Sequence, residues 1–476
     1  MTSLLARKFW LLILAILVIG VAAGGVHWLI TVAALGVVAC IALLQPAMVA
    51  ALVVASIPIQ SEVMLPFVRG ELTVTQLTLF GLIAGWGVIF WKRRIWLDSV
   101  VVGFLCLLAA YCFSFLAVDT PSLWFEETYR WAVAGLFYVI CRSVITSWDE
   151  VRYSLLAVAA GVLGVSLLSI AQIGTGGGSV RVSGTFGTPN TLAAYLEMTV
   201  PILLAVLAAA RWGSGDRTIG VSEKWFMLAA SAIGILVIGF TQSRGGWLGF
   251  TAAGVVLWMN VPGRSKFYIL GTAAVIGGVF LLTPPGQSQL ERFLEIRTET
   301  ATTDDSESTD LASYDVGAGR GAIWAAARAM IADHPVIGLG AGEFDEHYRQ
   351  YVPSWANRIP RGHAHNVWLQ MGAQAGVIGI AGYSVWYAAS IWSLVTARGR
   401  TRPSFDRWII IGVIAVFAAY TMHSLVDYLN VLSLGLQLSV LTAIALNLAP
   451  VPLMRYKAVR EQRPVITYSE QRACPI

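Results

Sequence analysis

Charge is what this sequence has least of. Asp, Glu, Lys and Arg make up 12% of its 476 residues, about half of the roughly 25% found in soluble globular domains. That shortage excludes a soluble enzyme and a disordered or fibrous chain. Cysteine is scarce too. Cys40, Cys106, Cys112, Cys141 and Cys474 lie in apolar runs or near the C-terminus, with neither the spacing of a metal site nor that of a disulfide framework. Walker-type loops, GxSxG and HExxH are absent. What is present is apolar: hydrophobic residues reach 57% and the mean hydropathy is +0.70. A polytopic, all-α membrane protein is the class that remains. The net charge of +5 does not point to nucleic acid, because the bases are distributed as a topology signal.

Apolar segments fall near 9–24, 28–44, 46–59, 73–91, 99–117, 129–145, 152–173, 189–210, 225–241, 246–260, 266–283, 366–395, 407–428 and 431–449. At about 20 residues per span they predict 12–14 transmembrane helices, fourteen as the best count. The Gln45-Pro46 break is either a tight hairpin or a kink. The first segment follows Arg7 and Lys8 and is expected to stay as an anchor, since no convincing cleavage site follows. Cytoplasmic loops carry an excess of Lys and Arg. With the N-terminus inside, 21 of the 32 bases fall in cytoplasmic loops and tails, and the opposite short loops hold only Arg69, Arg130, Arg181 and Arg244. Both termini are therefore expected in the cytoplasm. The chain divides into eleven spans over 1–283, one large extracytoplasmic loop over 284–365, three spans over 366–450 and a cytoplasmic tail over 451–476.

The loop of 82 residues concentrates 12 of the 27 acids and four of the six histidines. Its part 299–318 is acidic and rich in Ser and Thr, the composition of a disordered stretch. Residues 320–333 read as an amphipathic helix with Ile323, Trp324, Ala327, Met330 and Ile331 on one face. That face suits either the membrane surface or the helix bundle. His334-Pro335 ends it, Gly338, Gly340 and Gly342 make a turn, and a second short helix is expected at 343–352.

Several groups at outer span ends can carry chemistry. Arg244 sits in a tight break, Thr241-Gln-Ser-Arg-Gly-Gly246, and is held on stiff elements; its ordinary role would be an interfacial anchor. Arg320 opens the amphipathic helix and Arg361 precedes Gly362-His363-Ala364-His365-Asn366. Guanidinium groups bind phosphate bidentately and stay charged at any working pH. Neutral His363 or His365 at an interface suits general-base work near pH 7. Their HxH spacing is that of a metal pair, but no Cys or carboxylate lies near in sequence to complete a site, so no metal and no cofactor is expected. Asp304, Asp305, Glu307, Asp310 and Asp315 read as a solvated run. Glu197 lies in an apolar stretch, which is costly unless it faces a polar cavity. His423 and Asp427 are four apart on one helical face and either tune a site or pair structurally.

The segment Thr241–Gly249 resembles the Arg-containing span junction of the O-antigen ligase/polymerase family. Arg320-Gly-Ala-Ile-Trp324, followed by Asp333-His-Pro-Val-Ile-Gly-Leu-Gly340, resembles its outer-loop motif. His365-Asn366, then nine residues, then Gly376-Val-Ile-Gly379 is similar to its His-Asn and Gly-x-x-Gly signature, and Arg181–Asn190 to a further segment. The likeness covers roughly residues 175–450; Gln374 departs from it, since many relatives carry Glu there. The resemblance implies a metal-independent, inverting membrane glycosyltransferase in the inner membrane. It would move a glycan from undecaprenyl pyrophosphate to a sugar hydroxyl on the outer face, either on lipid A–core (a ligase) or on another carrier-linked glycan (a polymerase). Arg244 and Arg320 would take the pyrophosphate and His365 would activate the acceptor. Arg181, Arg130, Arg361, His363, Asn366 and Asp427 are second-tier binding candidates, with Asn366 orienting the loop–helix junction. The prenyl tail would lie between spans, among membrane lipids, with the long loop as a lid. The rival from another class is a small-anion, bicarbonate-like transporter using Arg244 and Arg181. Transporters often show internal repeats, and none is detectable here. A non-catalytic scaffold is a third alternative.

Overall fold

The computed structural model describes residues 28–59, 62–64, 71–89, 97–176, 181–215, 217–283, 286–287, 290–291, 316–352, 362–431 and 433–450. The first apolar segment, both tails, most of 284–315 and Arg361 lie outside them. The helices are α1 (Trp28–Leu44), α2 (Pro46–Ser56), α3 (Val74–Ile89), α4 (Ser99–Ser114), α5 (Pro121–Val144), α6 (Trp148–Gly176), α7 (Pro189–Trp212), α8 (Val221–Thr241), α9 (Arg244–Asn260) and α10 (Ser265–Leu281). After them come α11 (Val316–Asp333), α12 (Phe344–Tyr348), α13 (Val367–Arg400), α14 (Phe405–Ser424) and α15 (Leu434–Leu448). A small antiparallel pair, Glu62–Met64 with Glu71–Thr73, is an addition to the all-α expectation.

Each apolar segment within the described residues folds as a helix. Local chemistry sets their starts: Pro46, Pro121 and Pro189 occupy first helical positions, where a missing N–H costs nothing. Side chains of Asp98, Thr188, Ser243, Asn366 and Ser404 cap α4, α7, α9, α13 and α14. Gln45 separates α1 from α2. Among the described residues, six helices are long and apolar enough to cross a membrane: Ser99–Ala117, Trp148–Gly174, Pro189–Trp212, Val221–Thr241, Val367–Arg400 and Phe405–Ser424. Four shorter apolar helices accompany them, Pro46–Ser56, Val74–Ile89, Ser265–Leu281 and Leu434–Leu448. The bundle keeps large apolar side chains outside, Trp392 and Phe267 both 72% exposed, which suits lipid rather than water.

Small residues let the helices approach. α13 runs along α4, where a Cβ on Gly103 would lie 2.6 Å from the Trp386 Cα. α14 packs between α7 and α9. The ends alternate in a consistent way. Asp98 at the start of α4 meets Arg142 at the end of α5, Arg152 at the start of α6 meets Glu223 at the start of α8, and Arg398 at the end of α13 meets Asn260 at the end of α9. The N-termini of α5, α7, α9 and α13 thus share the other end of the bundle with the C-terminus of α14.

The amphipathic helix α11 starts four residues before Arg320 and packs on the bundle. Ile323, Ala326, Ala327 and Met330 form a second apolar cluster with Leu339, Phe344, Tyr348, Ala364 and Ala373. The short helix α12 falls within the stretch expected for it. Helix α13 is broken at Ala375 and Gly376, and the segment after α11 is stitched into the break. Leu339 and Gly340 N–H donate to the Ala373 and Gln374 carbonyls, at 2.9 and 3.0 Å, and Val377 N–H donates to the Pro335 carbonyl at 2.8 Å. Gly338 (φ 69°) and Gly376 (φ 59°) are left-handed, and a Cβ on either would come within 2.4 Å of the opposing backbone. Only glycine fits both demands.

Candidate active site

The carboxylate of Asp427, just past the end of α14, is the hub of the site. His365 Nδ1 lies 2.9 Å from its Oδ1, and His363 Nδ1 lies 3.8 Å from the same oxygen. Asn190 Nδ2 donates to Oδ2 at 3.0 Å, Arg320 Nη2 is 3.8 Å from Oδ2, and the Tyr428 N–H donates to Oδ1 at 2.8 Å. Burial alone would raise this carboxyl. The hydrogen bond from His365, with the neighbouring imidazoles of His363 and His423, outweighs burial and holds it well below the usual carboxylate range. An ionised carboxylate only accepts, so the Nδ1–H of His365 donates in this hydrogen bond, which in the neutral ring leaves the lone pair on Nε2.

His365 is placed by its backbone as much as by Asp427. It has φ 47°, an uncommon conformation for a residue with a side chain. Asn366 follows as the cap of α13: its Oδ1 accepts from Trp368 and Leu369 N–H at 2.9 and 3.1 Å, and its Nδ2 donates to the Leu425 carbonyl at 2.8 Å. One side chain therefore starts α13 and ties it to the turn that carries Asp427. The rings of His363 and His365 meet edge to face with centroids 4.2 Å apart. Burial is the main force on His363 and lowers its pKa to about 4, with His365, Arg320 and Arg130 acting in the same direction and Asp427 against them. It is neutral at pH 7.

Arg320 is half-buried, and its Nε has no hydrogen-bond partner among the described residues. Its pKa is lowered, by burial first and by the nearby Arg244, while Asp427 opposes both. The two guanidiniums expected to act together are thus close enough to repel. Arg244 is the first residue of α9, after Gln242 in the left-handed region (φ 50°) and the Ser243 cap. Arg181 Nε donates to the Thr241 carbonyl at 3.1 Å, and its Nη2 lies 3.3 Å from Asn190 Oδ1. It reaches Asp427 through Asn190. Arg130 pairs with Glu126 and, at 2.9 Å, with Glu127. The N-termini of α5, α7, α9 and α13 lie at this end of the bundle, and a helix N-terminus carries partial positive charge.

Sequence spacing alone did not single out Glu127, Tyr428 or Asn190 as members of the site. Buried Glu127 accepts from the Tyr428 hydroxyl, and His363 lies beside the Tyr428 ring, centroids 5.7 Å apart. The order Glu126-Glu127-Thr-Tyr-Arg130 inside an apolar chain was the available signal. His363, His365 and Asp427 also bring one ligand atom each within 4.8 Å of one another, a spacing that a metal ion uses. The carboxylate that the sequence neighbourhood of HxH lacks is supplied 62 positions on. The Arg320 and Arg244 cations beside it make the site a poor host for a dication and a good one for an anion.

No curated protein matches the chain. A family model described as O-antigen ligase matches residues 229–384. That stretch runs from within α8 to within α13 and contains Arg244, Arg320, His363, His365 and Asn366, while Arg130, Arg181 and Asp427 lie outside it. This match, over 156 of the 476 residues, supports the O-antigen ligase/polymerase family.

Proposed function

We propose that this protein transfers a glycan from undecaprenyl pyrophosphate to a sugar hydroxyl, at the extracytoplasmic face of the inner membrane, with lipid A–core as the acceptor. The observation that carries it is the Asp427–His365 hydrogen bond beside the half-buried Arg320 and Arg244. A base with its tautomer fixed stands next to two cations. His365 Nε2 takes the proton of the acceptor hydroxyl. The freed oxygen attacks the anomeric carbon as the bond from that carbon to the pyrophosphate oxygen breaks. Arg244 and Arg320 stabilise the charge that develops on the departing diphosphate, and undecaprenyl pyrophosphate leaves. Attack from the face opposite the leaving group gives inversion. Every step uses side chains of this chain alone, without a metal.

The membrane orientation has separate support. Arg142, Arg152, Arg217 and Arg398 are tied down at helix ends remote from the site, and Lys and Arg favour the cytoplasmic side. Polymerase action on a second carrier-linked glycan uses the same chemistry, so the acceptor decides between them. Purified protein is given the lipid-linked glycan with either lipid A–core or a second glycan-lipid. Transfer to the first and loss in His365→Ala is the expected result. Full transfer by His365→Ala removes the proposed base, and anion flux into proteoliposomes without any transfer would favour a transporter.

A further inference from the structure

Behind the site lies a polar pair that the transfer chemistry does not use. Glu197, within α7, and His423, the last residue but one of α14, are both buried. His423 Nδ1 lies 2.8 Å from Glu197 Oε1. Glu197 Oε2 has no hydrogen-bond partner among the described residues. A carboxylate and an imidazole in an apolar bundle carry a desolvation cost that packing alone does not require.

Their neighbours connect the pair to both arms of the site. Helix α9, which begins with Arg244, presents glycines to them. A Cβ on Gly249 would lie 2.3 Å from Glu197 Oε2, and one on Gly245 would lie 2.3 Å from His423 Cδ2 and 3.0 Å from Val426 Cγ2. A Cβ on Gly246 would lie 2.5 Å from that of Ala193 on α7. The Arg244 helix is thus seated directly on the pair. On the other side, the His423 carbonyl accepts from both Val426 and Asp427 N–H at 2.9 Å, closing the turn that aims Asp427 at His365.

We propose that Glu197 and His423 are positioning residues: their hydrogen bond, clamped against the glycine face of α9, holds the Arg244 helix and the Asp427 turn in register with each other. The assignment presupposes the transfer chemistry proposed above. Neither residue touches substrate.

The test replaces both partners at once. Glu197→Met with His423→Leu removes the polar pair while keeping its bulk, and such exchanges are commonly neutral or stabilising to the fold. The expected result is an undiminished melting temperature with kcat about 10- to 100-fold lower, because small misplacements of a site cost rates of that order. Glu197→Gln alone keeps an acceptor for Nδ1 and is expected to stay within about threefold of wild type. In 15N-histidine-labelled protein, the His365 imidazole resonance, assigned by its loss in His365→Gln, is expected to shift in the double variant. Wild-type kcat or an unshifted His365 resonance in the folded double variant overturns the proposal, as does Glu197→Gln being as slow as the double. If the double variant does not fold, Gly249→Ala, which leaves both partners in place and pushes a methyl against Glu197, is judged by the same criteria. If the wild type transfers no glycan, the function proposed above fails, and the His365 resonance still decides the positioning role.

Discussion

Replacing Asp427 by Asn exchanges one oxygen for a nitrogen and removes the charge on which His365, His363, Arg320 and Asn190 converge. An amide has one acceptor oxygen. It cannot accept from the His365 ring at 2.9 Å and from Asn190 at 3.0 Å through two separate oxygens as the carboxylate does. The His365 tautomer is then no longer fixed. A hydrogen bond to a charged group contributes about 1.5–3 kcal/mol, which at about 1.36 kcal/mol per tenfold lowers kcat by about 10- to 150-fold. The Arg320 contact adds little, because at 3.8 Å and part-exposed it is weakened by solvent. Its loss frees Arg320 for the donor, so the donor KM stays level or falls. The assay is steady-state transfer from the lipid-linked glycan, run beside a melting curve in the same detergent. A folded Asp427→Asn protein with kcat within about twofold of wild type, or with only KM raised, would refute Asp427 as the orienting partner of the base.

Arg320→Lys keeps the charge but loses the planar fork, and kcat/KM is expected to drop about 10- to 100-fold; a change under about threefold would mean that a point charge suffices. His363, with its folded-state pKa at about 4, lies below the ordinary 6.5 of the unfolded chain. The unfolded state therefore binds more protons between those values. The stabilisation is complete above about pH 6.5 and is lost as pH falls towards 4, so the melting temperature should decline over that window and His363→Gln should flatten part of the decline. Chelation by EDTA is expected to leave transfer unchanged; a loss restored by one divalent ion would put that ion on His363, His365 and Asp427 and take His365 away as a free base.

Helices were legible where hydropathy alone decides them. The segments within the described residues all became helices, and Pro, Ser, Thr, Asp and Asn at the starts gave most boundaries. Two local errors have clear causes. Helix α11 begins at Val316 rather than Arg320, because the glycines at 317 and 319 weaken a helix without forbidding it. The run 366–395 looked unbroken, yet α13 is interrupted at Ala375–Gly376; the Gly-x-x-Gly pattern marked the place without revealing the strand-like pairing that fills it. Within the site, Arg244, Arg320 and His365 stood out because they lie in short motifs of unusual residues. Asp427 ranked lower, since its partners are far away in sequence: His365 is 62 positions off and Asn190 is 237. The Glu197–His423 bond spans 226 positions, and no local pattern encodes such a pairing.

The pairing between residues 335–340 and the interrupted helix α13 is made by main-chain atoms. Apart from the two glycines, it places no demand on which side chains stand there. The distance from the α11 arginine to the imidazole is therefore set by backbone, while the neighbouring side chains remain free to vary. Under the proposed function, sugar recognition could change by altering those side chains while the arginine proposed for the leaving group and the imidazole proposed as the base stay in step.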